Sequence, residues 1–323
     1  MLKELLESKK CIKIIAGAGN TNKEYVRRLI ETYIRAGVVY FDISADLDIV
    51  KTVKGLFKKD NVDGALAVSY GISDDPHIRK VEINSELCTG CGLCKTVCEW
   101  NALTHEGVHT TMKVINDNCI GCGACFPKCG YGAMTMVAKP KQIKETLPAI
   151  VAEGIDTVEF HVSGLKDVEE TYKKWFEISE IYDGMLSLCI DRSKHSDLEL
   201  RAKIANLTRE RDPYTTMIQT DGVPMSGTDE SAGGTLQAIA ICQIVERMGL
   251  PLYILMSGGT NEWTSKYAKE FGLHYHGVSF GSCARKLIKK YIEDPHFDTD
   301  ETIQQEAVNK AKAFIDEVKR HMA

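Results

Sequence analysis

The feature that most constrains this chain of 323 residues is a cysteine spacing that occurs twice. Cys88-Thr-Gly-Cys91-Gly-Leu-Cys94-Lys-Thr-Val-Cys98 is followed by Cys119-Ile-Gly-Cys122-Gly-Ala-Cys125-Phe-Pro-Lys-Cys129. Each stretch reads C-x-x-C-x-x-C-x-x-x-C, the bacterial ferredoxin spacing, in which three thiolates wrap one cubane and the fourth reaches the other. The spacing predicts two 4Fe–4S clusters, one on Cys88, Cys91, Cys94 and Cys129 and the other on Cys119, Cys122, Cys125 and Cys98. Gly90, Gly92, Gly121 and Gly123 supply the unusual dihedrals and the close backbone approach that such a loop needs. Zinc knuckles would present two separated pairs of ligands, not a tight triplet repeated with a fourth cysteine at the same offset. Proline often follows the fourth cysteine; Glu99 and Gly130 stand there, which bears on the local turn and the potential but not on ligation.

Disulfides are the other use for so many cysteines, and the compartment argues against them. The leucines of the first ten residues alternate with charges, unlike a secretory leader, and no uncharged apolar run approaches the roughly 18 residues that span a bilayer. A cytoplasmic chain with no membrane partner is expected, where dense cysteines mean metal or redox chemistry. The net charge of −5 gives no reason to expect nucleic acid. Of the four remaining cysteines, Cys11 and Cys242 lie in apolar runs and read as core. Cys189 and Cys283 lie near strand ends, where packing is the expected role and a redox or ligand role the alternative.

The cysteine segment interrupts a regular alternation. Strand-like apolar runs occur at 12–16, 38–43, 64–68, 157–161, 185–190, 215–219, 252–256 and 276–280, with helical patterns between most of them and a last helix at 284–291. Eight strand–helix units predict a (βα)8 barrel, with an open doubly wound α/β sheet as the alternative. The barrel would comprise residues 1–79 and 139–323, with a two-cluster ferredoxin-like domain inserted at 80–138. Ala16-Gly17-Ala18-Gly19-Asn20 lacks the third spaced glycine of a dinucleotide fingerprint.

Barrel sites lie in the loops after the strands, and those after the seventh and eighth strands often hold phosphate. Ser257, Gly258, Gly259, Thr260 and Asn261 follow the seventh strand here, and Gly281, Ser282 and Arg285 follow the eighth. These eight are candidate contacts for FMN or another phosphate-bearing ligand. Asp191, Arg192, Asp221 and His161, at other strand ends, are candidates for orienting a small anionic substrate and moving protons. For any one of them, an ordinary polar loop explains the residue as well.

Five segments also resemble the LdpA-like family of iron–sulfur proteins, which is implicated in light-dependent adjustment of the cyanobacterial circadian clock. They are Asp75-Pro-His77-Ile-Arg79, Leu188-Cys-Ile-Asp191-Arg192-Ser193, Gln219-Thr-Asp221-Gly-Val-Pro-Met-Ser226-Gly, Ser257-Gly-Gly-Thr-Asn261 and Gly277-Val-Ser-Phe-Gly281-Ser-Cys-Ala-Arg285. The resemblance implies two 4Fe–4S clusters and a redox-linked role, without fixing the reaction. Two functions stay open: a reductase delivering cluster electrons to a flavin or organic substrate at the barrel rim, and a non-enzymatic redox sensor or electron carrier signalling to a protein partner, as the resemblance implies. Either would need a redox protein as electron donor or acceptor.

Overall fold

In a computed structural model, the described residues are 1–71, 78–105, 107, 110–162, 168–193, 195–222 and 232–322. Sequence features at residues 75–77, Ser163, Leu165 and residues 223–228 fall outside them. Strands β1 (Cys11–Ile15), β2 (Tyr40–Ser44) and β3 (Ala65–Gly71) precede the cysteine segment. That segment carries β4 (Arg79–Ile83), β5 (Leu103–His105), β6 (Met112–Val114) and β7 (Met134–Ala138). After it come β8 (Thr157–His161), β9 (Met185–Ile190), β10 (Thr216–Asp221), β11 (Tyr253–Ser257) and β12 (Gly277–Phe280). Among the described residues β1, β2, β3 and β8 to β12 form a closed parallel barrel, sealed where β1 pairs with β12 as well as with β2. The open sheet is thereby excluded.

Helices α2 (Lys23–Arg35), α3 (Leu47–Lys59), α5 (Ile143–Ala152), α6 (Val168–Ile181), α7 (Asp197–Thr208), α8 (Ala232–Glu246), α9 (Thr264–Glu270) and α10 (Ser282–Ile292) follow the eight barrel strands in turn. Outward strand residues such as Ile12, Phe41, Val68, Phe160, Leu188 and Val278 form one apolar cluster with the inward stripes of these helices. The alternation of strand side chains leaves the intervening residues, such as Lys13, Asp42, Ser69 and Glu159, for the barrel interior.

Two helices outside the cysteine segment were not predicted. Helix α1 (Leu2–Glu7) closes the N-terminal end of the barrel, where Leu2 and Leu6 pack with Cys11, Tyr40, Met217 and Tyr253. Burying Leu6 completely is worth about 1.5–3 kcal/mol. Helix α11 (Glu301–His321) packs against α10, α2 and α9, with Phe314 edge-on to Phe280 at 4.9 Å. No described helix is long and apolar enough to cross a membrane.

The cysteine segment leaves the barrel after β3 and returns at α5, so it replaces a loop at the C-terminal end of the strands. Its strands β4 and β7 pair antiparallel, as do β5 and β6, around a small core of Val81, Leu103, Met112, Met134 and cysteine side chains.

Candidate functional site

Two cavities open inside the cysteine segment. One, about 320 Å³ of empty space with its mouth included, is lined by Cys88, Cys91, Cys94 and Cys129 with Ile83, Met112, Ala133 and Met134. The other, about 350 Å³, is lined by Cys98, Cys119, Cys122 and Cys125 with Val81, Leu103, Ile120 and Met136. The fourth cysteine of each motif thus lies with the first three of the other. The short helix α4 (Leu93–Thr96) carries Cys94, and its counterpart Cys125 caps the start of a 3-10 turn at Phe126–Lys128. Gly90 and Gly121 occupy matching places with φ of +69° and +75°, and a Cβ there would lie 2.3 Å from the Thr110 carbonyl and 1.9 Å from the Arg79 carbonyl. Only glycine fits both the dihedral and the approach. The backbone N–H groups of Met112 and Ala102 donate to Cys88 Sγ (3.3 Å) and Cys98 Sγ (3.4 Å), the kind of bond that tunes cluster potential. Burial, with the charges of Cys122, Cys119 and Cys98, pushes the Cys125 thiol up to about 12. Metal ions are what would hold four such sulfurs together as thiolates. The all-sulfur donor sets in apolar cavities fit iron–sulfur chemistry.

A third cavity lies at the C-terminal mouth of the barrel and encloses about 750 Å³ of empty space, mouth included. The predicted residues His161, Ser257, Gly258, Gly259, Thr260, Gly281, Ser282 and Arg285 all line it, together with Gly17, Glu159 and Cys189. Ile120, between two cysteines of the second motif, lines both this cleft and the Cys119 cavity. Arg285 is buried, donating to the Ile15 carbonyl (2.8 Å) and Ser282 Oγ (3.1 Å) under the ring of Trp100, 5.8 Å away.

The other predicted residues are placed differently. Asp191 is buried but accepts hydrogen bonds from the Ser193 backbone N–H and hydroxyl, and Arg192 pairs with Asp197 at 2.8 Å. Asn261 accepts from the Trp263 N–H and so shapes the entry to α9. Asp221 lies behind the cleft, accepting from Cys189 Sγ at 3.5 Å. Among the described residues none of these four lines the cleft.

The sequence reading missed a charged layer inside the barrel. Lys13 Nζ is 2.5 Å from Glu159 Oε2 and 3.5 Å from Asp42 Oδ2, all three fully buried. Glu159 Oε1 is 3.1 Å from His161 Nε2, and Ser69 donates to Asp42 at 2.7 Å. Burial, together with the neighbouring Glu159 charge, pushes Asp42 up to about 6. Burial also opposes the Lys13 and Glu159 charges, but their mutual attraction wins. It holds Lys13 above the usual lysine range and Glu159 below the usual carboxylate range. The signal was present: Lys13 and Glu159 are single charges inside apolar strands.

Residues 149–320 match the Light dependent period A C-terminal domain family, more than half of the chain. The chain belongs to that family. Residues 87–133 match the 4Fe-4S dicluster domain, so the cysteine segment is an iron–sulfur domain, and residues 1–62 match a family of proteins of unknown function, DUF561. A relative in the same family is Light dependent period A of Synechococcus elongatus, 27% identical over 341 aligned residues that cover 98% of this chain and 93% of that one. Among solved structures the YdjI aldolase of Escherichia coli K12 aligns with TM-score 0.53 at 8% identity, covering 100% of this chain and 97% of that one. A protein of Coccidioides immitis described as a fructose-1,6-biphosphate aldolase gives 0.51 at 10%, covering 99% and 94%. At such identities the likeness is one of fold, the α/β barrel, and of nothing more.

Proposed function

We propose that this iron–sulfur protein is a reductase in which two 4Fe–4S clusters supply single electrons to an acceptor in the barrel-mouth cleft. The observation that carries the proposal is Ile120, which separates the Cys98–Cys119–Cys122–Cys125 cavity from that cleft by one side chain. A mere carrier has no use for a cleft at that spot. The acceptor is anionic, FMN or another phosphate-bearing ligand. Backbone at Gly258 and Gly259, with φ of +58° and +72°, and the start of α10 at Gly281 lie on the cleft wall, and Arg285 adds the charge. His161, facing the same space, is placed to move a proton. The electron donor is a redox protein that docks beside exposed Cys91, where Leu87, Leu93 and Tyr131 present apolar surface.

The test is anaerobic purification, metal and sulfide analysis, extraction of small molecules, and titration with FMN. About eight iron and eight sulfide per chain are expected, with FMN taken up by the parent chain and released from Arg285→Ala at unchanged iron content. A chain with full iron that binds neither FMN nor inorganic phosphate would defeat the reductase reading. It would leave the sensor, which one observation favours. Trp100, two residues after Cys98, sits over Arg285 and Lys289, and Lys289 Nζ bonds the Glu99 carbonyl, so a change at the cysteines reaches α10 directly.

A further inference from the structure

We infer that Glu159, His161 and Cys189 form a mononuclear site for a divalent transition-metal ion at the floor of the cleft, separate from the iron–sulfur cysteines. Period-two alternation puts Glu159 and His161 on one face of β8, and Cys189 is the register partner of His161 on β9. One carboxylate oxygen, one ring nitrogen and the sulfur all lie within 4.8 Å of one another, and all three residues are buried. Ligand atoms round a tetrahedral ion of this class lie roughly 3.5 Å apart, so closure asks for movement of about 1 Å.

The surroundings fit an ion. Lys13 holds Glu159 by Oε2 and leaves Oε1, the oxygen facing His161, for the metal. Asp221 Oδ2 lies 3.5 Å from Cys189 Sγ. Metal binding forms one bond each to oxygen, nitrogen and sulfur and displaces the Cys189 thiol proton, which Asp221 is placed to accept. A mixed set of carboxylate, imidazole and thiolate selects zinc-like ions over magnesium or calcium. The three residues line the cleft, so a fourth coordination position faces the ligand space, as in sites where a metal polarises a bound oxygen. Sequence alone understates this site. Cys189 reads as a strand-end core residue, and only the closed barrel sets it beside Glu159-Phe-His161.

The site does not depend on the reductase reading and is tested apart from it; with a metal bound, His161 serves as a ligand and no longer moves the proton. Cluster-loaded chain, purified anaerobically, treated with chelator and checked for unchanged iron, is titrated with zinc chloride and measured at the zinc X-ray absorption edge. The expected result is one zinc per chain with a single sulfur neighbour, the rest being nitrogen or oxygen. Cys189→Ser removes the sulfur neighbour and weakens zinc binding at least tenfold, and His161→Gln weakens it as much. Asp221→Asn weakens it by about 10–100-fold, the usual effect of losing an outer partner. The wild-type spectrum decides without any variant, so misfolding of a variant leaves the test intact. Zinc with three or four sulfur neighbours would locate it at the cluster cysteines. That result, no zinc uptake by iron-replete chain, or uptake unmoved in folded Cys189→Ser would each overturn the site.

Discussion

Replacing Lys13 with methionine isolates the charged layer of the barrel. Methionine keeps the length and apolar stem of the side chain and deletes only the ammonium. That ammonium is 2.5 Å from Glu159 and 3.5 Å from Asp42, and all three side chains are buried. Its loss leaves buried carboxylates without compensation, which costs about 3–5 kcal/mol in comparable sites. At about 2.1 cal/mol/K per residue, 323 residues give an unfolding entropy near 0.7 kcal/mol/K, so Tm should fall by about 4–7 °C. The assay is anaerobic thermal unfolding followed by far-UV circular dichroism, with iron measured in parallel to exclude cluster loss. Adding Glu159→Gln to Lys13→Met removes the stranded charge, so the double variant should melt above the level expected from adding the two single losses. A Lys13→Met chain within about 1 °C of the parent at full iron would refute the argument. So would strict additivity in the double variant.

Three further outcomes follow from geometry already described. Cys98→Ser should change the paramagnetic resonance of the reduced cluster held by Cys119, Cys122 and Cys125, because Cys98 lines their cavity; a change confined to the Cys88 set would mean uncrossed ligation. Gly281→Val should abolish FMN or phosphate uptake at unchanged iron, since even a Cβ there lies 3.3 Å from an Arg285 nitrogen, and calorimetric titration reads the loss. His276 accepts from the Ile254 N–H at 3.0 Å, and burial, helped by Lys9, holds its pKa below the ordinary 6.5. The unfolded chain therefore takes the proton first, so stability is full above pH 6.5 and falls as pH drops below it. Melting of His276→Gln across the same window should show a smaller slope, and an equal slope would discard the assignment.

The strands were legible because each is a short apolar run bounded by turn residues, and β8 and β9 fall on the predicted residues. The second run was drawn too early, at Val38. Its N–H instead bonds the Tyr33 carbonyl after Gly37 at φ +90°, so Val38 closes helix α2 and the strand begins at Tyr40. Helix α11 had a readable pattern, with Asp300 as its cap and Ala307, Ala311, Phe314 and Val318 on one buried face. It escaped because eight strand–helix units already complete a barrel. The cleft was legible as loops after the seventh and eighth strands. Its floor was not, because Lys13 and Glu159 are 146 residues apart and meet only when the barrel closes. A lone charge in an apolar strand looks like an outward residue until the register turns it inward. Ile120 and Trp100 carry no signal of their own in the sequence, and only docking gives them a face on the barrel.

Where the iron–sulfur domain is inserted bears on what it does. A barrel offers loops at two ends, and a domain that only needed anchoring could occupy either. Here it fills the connection after β3, on the end where barrel ligands bind. It is then tied to loops whose strands are not its own. Lys80 donates to the Gly19 carbonyl (2.8 Å) and the Cys119 carbonyl (2.5 Å), joining the loop after β1 to the second cysteine motif. Asn22 donates to Asn118 at 2.9 Å on the same side, and Trp100 reaches α10 after β12. These ties span the β1–β12 seam, where Gly281, Ser282 and Arg285 also stand, and they hold Ile120 over the cleft. These part-buried bonds contribute about 0.5–3 kcal/mol each, and their convergence on a single seam does more than anchor the domain. What they do fix is the separation between the Cys119 cavity and the ligand space. In the proposed reductase the rate of electron transfer depends acutely on that distance, whereas a free-standing carrier has no need to control it.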